Sequence, residues 1–212
     1  PALDLFLLST VEARFSPYYT AMGDKFPADA HAAFTMVSPA SMADFRALVA
    51  AHGGRISVAG TEAELLAAGL PPAYECAYNH TTLQALKLDR SWTYLQVAYA
   101  QPFDPAVVQR HLEIFGDDVL QHQDHARAGG EFGTFGILLV RWKGIDHQYA
   151  IMREIESQGG CQIFNPHVVT IEDGGMKAID TQQISFKQRS DPMGLMNPGK
   201  TRGWRHDMAR DA

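Results

Sequence analysis

The stretch Thr93–Tyr99, with the sequence TYLQVAY, alternates at a period of two residues, which is typical of a β-strand with one buried face. Asp104 and Pro105 follow it and form an N-cap and first-turn pair for a helix. Apolar residues at helical spacing then predict one buried stripe, made of Val108, Leu112, Phe115 and Val119. This strand and helix begin the larger of two predicted βαβ units.

The same unit continues beyond a glycine-marked loop at residues 129–133. Phe135–Trp142 (FGILLVRW) is apolar enough to be a central strand. Ile145–Ser157 predicts a further helix that ends at a glycine pair, and Cys161–Phe164 predicts the next strand. We therefore expect Thr93–Tyr99 and Phe135–Trp142 to pair in one sheet.

A smaller unit precedes this one. Ala33–Val37 predicts a strand, Ser38 begins a helix at Pro39, and Arg55–Val58 alternates as a second strand. Thr61–Glu64 matches a capping box ahead of a short helix. Two split βαβ units of this kind predict an α+β fold: a ferredoxin-like antiparallel sheet with helices on one face, followed by an irregular and helical C-terminal segment.

Composition limits the classes of function. With 212 residues, 46% hydrophobic and 20% charged, the chain has material for one sizeable core or two small ones. A formal net charge of −6 disfavours nucleic acid and anionic lipid as partners. The apolar runs are far shorter than the roughly 20 residues of a membrane-spanning helix, and no signal peptide is visible. We expect a cytoplasmic protein with neither nucleic acid nor membrane as a partner.

The cysteines and histidines give no strong site signal. Cys76 and Cys161 lie far apart without a CxxC spacing, which favours buried thiols over a disulfide or a metal site. Among the nine histidines, His111, His122 and His125 lack a partner at ligand spacing. We expect these three to be solvated histidines on or just after a helix, and we predict no metal site. No serine or cysteine stands in a nucleophile elbow, so hydrolase chemistry is not predicted.

A defined turn is expected near the C-terminus, after a predicted helix over residues 180–189. Asp191–Lys200 has the sequence DPMGLMNPGK, in which two prolines remove backbone donors and two glycines permit positive φ. Its apolar residues, Met193, Leu195 and Met196, are atypical of a loose tail. On the residues alone, a packed loop after a helix stop is the favoured interpretation.

The pattern Asp-Pro-x-Gly-hydrophobic-hydrophobic-Asn-Pro-Gly-Lys resembles the C-terminal signature of the FAD-linked oxidases of the vanillyl-alcohol oxidase and p-cresol methylhydroxylase type. The resemblance implies the cap, or substrate, domain of an enzyme in which an alcohol or hydroxy acid passes hydride to the flavin. It implies Asn197 and Lys200 as residues that bind the FAD cofactor.

The resemblance also divides the chain. Residues 1–30 correspond to the end of a flavin-binding domain or a linker, residues 31–170 to the cap domain, and residues 171–212 to a segment that packs toward the flavin-binding domain. The implied partners are that domain or subunit and a small alcohol or hydroxy acid. Because the chain shows no glycine-rich strand-turn-helix element for a pyrophosphate, we expect it not to retain FAD tightly alone. A non-catalytic ferredoxin-like binding or dimerisation module, with a homodimer as one form, is the alternative.

The segment Tyr74–Leu86 is polar and aromatic at once. It is consistent with a surface helix and equally with a pocket wall, because histidine, tyrosine and asparagine orient small ligands. Within it, Tyr78–Leu83 resembles a Tyr-Asn-His-Thr-Thr-Leu element of a branch of FAD-binding oxidoreductases. The pocket-wall interpretation makes Tyr78 and His80 candidate substrate-binding residues.

The last candidate segment follows the strand Cys161–Phe164. Behind the rigid Pro166, His167 stands where α/β scaffolds present reactive side chains, although it could also satisfy a loop carbonyl. In the p-cresol and vanillyl-alcohol enzymes a Tyr-Arg-Thr-His run lies at a similar distance before the terminal Pro-Gly-Lys. Here His167 matches, while Phe164 and Asn165 replace the tyrosine and arginine. The resemblance implies His167 as catalytic and Phe164 and Asn165 as substrate-binding, and the replacement argues against a phenolate substrate.

Overall fold

The computed structural model describes residues 3–128, 130–175 and 178–204. The chain divides into two compact units, residues 1–162 and 163–212. The strands in the described part are β1 (Leu5–Val11), β2 (Ala32–Val37), β3 (Trp92–Tyr99), β4 (Val119–Leu120), β5 (His122–Ala128), β6 (Glu131–Arg141) and β7 (Cys161–Phe164). The α-helices there are α1 (Met42–Ala51), α2 (Glu62–Ala67), α3 (Asn79–Leu88), α4 (Pro105–Phe115), α5 (Ile145–Gln158) and α6 (Thr181–Ser190).

An antiparallel sheet organises the α+β fold. Its strand order in the described chain is β2-β1-β5-β6-β3-β7, and the short β4 also pairs with β6. The β3–β6 register runs from Trp92 opposite Arg141 to Ala98 opposite Phe135. β6 lies between β5 and β3. The expected pairing of these two segments and the central position of the apolar strand are therefore confirmed.

Capping side chains begin three helices, and the caps of α4 and α2 were predicted from the sequence. Asp104 caps α4 through a hydrogen bond from the backbone N–H two residues later, and Asp180 caps α6 in the same way. Thr61 and Glu64 form the reciprocal bonds of a capping box at the start of α2. Each side-chain oxygen satisfies an N–H group that has no partner within its own helix, which is why these sequence signals were informative.

Both faces of the sheet are covered. Trp92 of β3 and Leu139 of β6 belong to a core cluster that also includes Ala85 of α3. Their neighbours Leu95 and Leu138 point to the opposite face, because side chains alternate along a strand, and both are fully buried. Buried residues of α4 and α5 lie outside that cluster. The expectation of helices on only one face is therefore wrong.

The segment Arg55–Val58 does not form the predicted strand, since residues 54–60 lie outside any helix or strand. Its alternation is nevertheless real: Ile56 and Val58 are half-buried between exposed neighbours, and Val58 packs against the core cluster. The alternation arises because one side of the segment contacts the core. The segment is not a strand, because no neighbouring strand provides the hydrogen bonds of a sheet. The predicted first βαβ unit is therefore wrong, and β2 instead pairs antiparallel with β1.

The histidines predicted to be solvated lie on elements that pack into the interior. His122 and His125 lie on β5, which is enclosed between β1 and β6, and His111 lies on α4. His111 and His122 are fully buried, so the expectation of solvated histidines is wrong for both. Burial lowers the pKa of His111 to about 4, because desolvation disfavours the imidazolium, and the nearby Arg110 charge acts in the same direction.

The two cysteines are free thiols, with Cys76 buried and Cys161 partly buried. Burial raises the pKa of the Cys76 thiol to about 12, which leaves it protonated near neutral pH. The sequence-based prediction of packed thiols without a disulfide is confirmed.

Candidate functional site

Tyr78 is held in an unusual backbone conformation at the start of α3. Its φ and ψ are 53° and −139°, a region that bulky side chains rarely adopt. The side chain is 43% exposed, so core packing does not account for a tyrosine here. Strained non-glycine residues of this kind concentrate at functional sites, where the surrounding structure holds them in place. Tyr78 therefore marks the strongest candidate site in the first unit.

A buried carboxylate, that of Asp124, accepts a hydrogen bond from the backbone of Tyr78. The backbone N–H of Tyr78 donates to Oδ1 of Asp124 at 3.2 Å, and Nε2 of His122 lies 2.9 Å from the same oxygen. Asp124 is 3% exposed. Burial by itself would raise the pKa of Asp124, but the hydrogen bond and charge of His122, with further bonds from Ser9 and Tyr78, hold it below its usual range. A buried carboxylate, itself hydrogen-bonded to His122, thus anchors the strained turn.

The first turn of α3 joins the same network. The Tyr19 hydroxyl lies 3.0 Å from the Cys76 carbonyl oxygen and 2.9 Å from Oγ1 of Thr81. Oγ1 of Thr81 in turn lies 3.5 Å from Nε2 of His122. Burial raises the pKa of Tyr19, so this hydroxyl stays protonated and acts as a donor. The turn at Tyr78 is therefore held by hydrogen bonds that involve three elements: the N-terminal segment, β5 and α3.

Ser9, His122 and Asp124 are the residue types of a hydrolase triad, but their geometry is different. Ser9 Oγ and Asp124 Oδ1 both approach the same ring nitrogen, Nε2 of His122, at 3.0 and 2.9 Å. In a triad the serine and the carboxylate use opposite ring nitrogens. Ser9 and His122 are also fully buried, out of reach of a substrate. This cluster is structural support and does not form a nucleophile.

His80 carries a second carboxylate contact, and this one is open to solvent. Nδ1 of His80 lies 3.0 Å from Oε2 of Glu75, and the two side chains are 45% and 46% exposed. Glu75 lies in the 3₁₀ helix Ala73–Cys76, and His80 in the first turn of α3. The turn at Tyr78 joins these two elements and so allows Glu75 to reach His80. The predicted pair Tyr78 and His80 therefore occupies one surface with Glu75.

The second unit contains the other five predicted site residues. Asn165 is 1% exposed, its Oδ1 accepts the backbone N–H of His167 at 3.0 Å, and its own N–H donates to the Gly174 carbonyl at 2.9 Å. Phe164 is half-buried and His167 is exposed. Asn165 thus shapes the turn that presents His167.

The C-terminal signature is organised by one buried carboxylate. Asp191 accepts the backbone N–H groups of Leu195 and Met196 at 2.8 and 3.0 Å and the Lys187 ammonium at 2.5 Å. The Lys187 ammonium and these backbone donors hold the pKa of Asp191 below its usual range. The packed loop expected from the sequence therefore has a specific cause: a single aspartate holds the loop in place through three hydrogen bonds.

Within the second unit, a cavity of about 310 Å³ lies against this loop. It is lined by Met193, Gly194, Leu195, Pro198, Gly199 and Trp204. Asn197, a predicted cofactor residue, has a positive φ of 48° and its carbonyl accepts the N–H of Lys200 at 3.3 Å. The Lys200 carbonyl in turn accepts the N–H of Ile171 at 3.2 Å. The signature is thus tied to the loop that follows His167.

Several residues of these sites were not foreseen. Glu75 lies five residues before His80, within the same segment that was singled out as a pocket wall, and this closeness in sequence was the one signal that could have identified it. Asp124, His122 and Ser9 come from strands far apart in the sequence. No spacing rule connects them, because the sheet order alone makes β1 and β5 neighbours.

The substitution Tyr78→Gly tests whether the backbone conformation of Tyr78 costs the protein stability. Because glycine adopts positive φ readily, we expect Tyr78→Gly to change the free energy of unfolding by no more than about 1 kcal/mol. Tyr74 is a matched control: it is 37% exposed and its hydroxyl donates to Glu62 at 2.6 Å. Tyr74→Gly should be the more destabilising in urea unfolding. Equal or greater destabilisation by Tyr78→Gly would contradict the assigned strain.

Among residues 3–128, 130–175 and 178–204, no three His, Cys, Asp or Glu side chains group closely enough to hold a metal ion. No helix in those ranges combines the length and apolar character needed to cross a bilayer. No protein-family model matches the chain, and no curated protein matches it either.

Proposed function

We propose that this chain is the substrate-domain part of an FAD-dependent oxidoreductase that oxidises an alcohol or a hydroxy acid. A partner flavin-binding domain or subunit holds most of the cofactor. The observation that carries the proposal is Tyr78: an exposed tyrosine kept in a strained conformation by a buried carboxylate, beside His80. Its sequence context, Tyr78–Leu83, also resembles an element of FAD-binding oxidoreductases.

We further propose a ferredoxin-like arrangement for the segment from β3 to β7. In support, strand-helix-strand occurs twice, as β3-α4-β5 and β6-α5-β7. The order β5-β6-β3-β7 interposes one strand within each unit, and the β5–β6 and β3–β6 pairs are antiparallel. A cytoplasmic location belongs to the same proposal and is supported by the two free thiols.

The residues of the chain have separate roles in this proposal. In the first unit, Tyr78 and His80 bind the hydroxyl or carboxylate of the substrate. In the second unit, His167 is a separate candidate residue. A bound flavin supplies the electron-accepting chemistry. Asn197 and Lys200 of the signature contact that cofactor. In flavin chemistry the protein generally contributes binding, orientation and electrostatics, while the cofactor carries the electrons.

The residues around the signature fit one part of a flavin. The cavity lining is apolar, with Met193, Leu195, Pro198 and Trp204 and without a charged side chain. Such a lining suits the edge of an aromatic ring system, and its volume is at the lower end of ligand pockets. It does not suit a pyrophosphate, which needs converging backbone N–H groups or cations. A lining that suits the ring but not the pyrophosphate supports a cofactor whose phosphates are held by a partner domain.

Isolation of the protein from its natural source, with antibodies against this chain, tests the proposal. We expect a yellow protein with the visible absorption bands of a flavin. Anaerobic addition of a panel of primary alcohols and 2-hydroxy acids should bleach those bands with at least one member. A colourless protein would contradict the proposal.

One observation favours a second candidate, a dimerisation module without catalysis. β2 ends the sheet, and its sequence AAFTMV carries neither a charge nor a proline. An uncharged edge strand is a surface on which another chain can add a strand. A colourless protein with twice the mass of the chain by light scattering would favour this alternative.

A further inference from the structure

We propose that His111 makes the packing of helix α4 on the sheet sensitive to mild acid, because a proton taken up by its buried ring releases the helix. The inference goes beyond the proposed function and does not depend on it. It begins from the position of His111, which is fully buried on the face by which α4 packs on the sheet.

The buried face of α4 places an ionisable ring among apolar groups. Val107 and His111, one turn apart, are the two buried residues of the helix. Val107 packs on Gly160, since a Cβ built on that glycine would lie 2.6 Å from Cγ2 of Val107. The ring of Phe115 stands edge-on to the His111 ring, with 5.8 Å between the ring centroids. The helix also packs against β4, which consists of two apolar residues.

The ring has no partner that would stabilise its charged form. Among the described residues, neither ring nitrogen of His111 has a hydrogen-bond partner. The charge that acts on the ring, that of Arg110 on the same helix, opposes a second positive charge. Burial, which is the larger cause, and Arg110 together lower the pKa of His111 to about 4. The ring is therefore neutral while α4 is packed.

The carboxylates closest to α4 in the sequence do not offset this effect. Asp118, in the turn that joins α4 to β4, lies 2.7 Å from the ammonium of Lys143. Asp117 beside it is 96% exposed and bonded to Arg14 at the surface. Glu113, on α4 itself, is exposed. The charged form of the ring thus gains no counterion from its own helix or from the following turn.

The titratable groups on the neighbouring strands and on α5 do not supply one either. Burial raises the pKa of Tyr99 on β3 and of Cys161 on β7, and it lowers the pKa of His125 on β5, so all three are neutral near neutral pH. His147 on α5 lies 3.6 Å from the carboxylate of Asp118. The buried residues of α5 are uncharged: Gln148, Ile151 and Ile155. A proton on the ring would therefore be an isolated charge in a mostly apolar layer, which is costly.

The helix is held weakly enough to open by itself. Of its 11 residues, only Val107 and His111 are buried, so a single apolar side chain is fully enclosed. Segments with few buried apolar contacts open locally at a lower free energy than the core of a fold. Strand β6, by contrast, pairs with β3, β4 and β5. A proton that reaches the ring therefore releases α4 before it unfolds the sheet.

The direction of the pH dependence follows from the two states of the ring. When α4 is open, the ring is solvated and has its ordinary pKa of 6.5, whereas the packed ring has a pKa of about 4. Between these values the open state binds a proton that the packed state does not. The packing is therefore at full strength above pH 6.5 and weakens as the pH falls toward 4. The open population should be about 30-fold larger at pH 5 than at pH 8.

Amide hydrogen exchange of the full-length protein at pH 8 and pH 5, followed by mass spectrometry, tests the inference. The measured quantity is the protection factor, which corrects for the pH dependence of exchange in an unfolded chain. We expect the protection factors of α4 to fall about 30-fold between the two conditions and those of β6 to fall much less. His111→Leu should remove the fall in α4, because leucine takes no proton. His52→Leu, at an exposed histidine, is the matched control and should behave as wild type.

Three results would overturn the inference. They are a fall of less than about threefold in α4, far below the linkage value, an equal fall in α4 and β6, and an undiminished fall in His111→Leu. If His111→Leu does not fold, the wild-type ring provides the second test. Its NMR signal should give a pKa well below the ordinary 6.5, and a pKa of 6.5 would contradict the proposal.

Discussion

Asp124→Ala is expected to lower the free energy of unfolding by about 2–6 kcal/mol, because it leaves two buried groups without their hydrogen-bond partner, at about 1–3 kcal/mol each. The substitution leaves His122 fully buried without its carboxylate, and the N–H of Tyr78 without its acceptor at 3.2 Å. Urea unfolding followed by circular dichroism measures the difference. Asp117→Ala is the matched control, because the Asp117 side chain is 96% exposed and bonds Arg14 at the surface. It should change stability by less than about 0.5 kcal/mol.

The same carboxylate gives the stability a pH dependence of known sign. The pKa of Asp124 is lowered in the folded state from its ordinary value of 3.8. Its contribution is therefore fully present above that ordinary value and is lost as the pH falls through the lowered folded-state value. Asp124→Ala should remove this part of the acid unfolding. An Asp124→Ala protein as stable as wild type, with the same acid limb, would contradict the buried hydrogen bonds assigned to Asp124.

Gly194→Ala is expected to disorganise the C-terminal signature. Gly194 has a positive φ of 68°, and a Cβ there would overlap the Trp204 ring. The left-handed conformation alone costs an alanine about 1–2 kcal/mol, a factor of roughly 5–30 in the open population, and the overlap adds to it. Amide hydrogen exchange at Leu195 and Met196, which Asp191 protects, should accelerate by more than that factor.

Gly199→Ala provides the control for that change. Gly199 has a similar φ of 72°, but nothing lies within 4 Å of a Cβ built on it. It should therefore show the conformational cost without the overlap. Equal acceleration in the two variants would mean that Trp204 does not pack against Gly194 in solution.

Parts of the fold that follow from local rules were predictable from the sequence. β3 was found because its apolar side chains recur at the period of a strand, and β6 because it is a continuous apolar run. α2 and α4 were found because their caps satisfy free N–H groups. β5 was missed because its sequence, HQDHARA, carries polar side chains into the interior. Several of those side chains find hydrogen-bond partners on β1, on β6 and at the start of α3, and no local sequence pattern predicts such partners.

The candidate site likewise contains residues that the sequence identified and residues that only the fold brings together. Tyr78, His80 and the C-terminal signature were identified from short runs of adjacent residues. Asp124 is more than forty residues from Tyr78 in the sequence, and only the fold brings its carboxylate to the Tyr78 N–H. Asn165 was predicted as a substrate-binding residue, and the fold adds a contact that the sequence does not indicate: its buried amide oxygen accepts the His167 N–H.

The central claim is that a substrate binds at the surface formed by Glu75, Tyr78 and His80. Titration of the isotopically labelled flavin-bearing protein with the 2-hydroxy acid or alcohol that bleaches its flavin tests this most directly. The ring signals of Tyr78 and His80 should shift together and saturate at one ligand concentration, while those of Tyr74 and His147 stay in place. Saturating shifts confined to other residues, with Tyr78 and His80 unmoved, would contradict the claim.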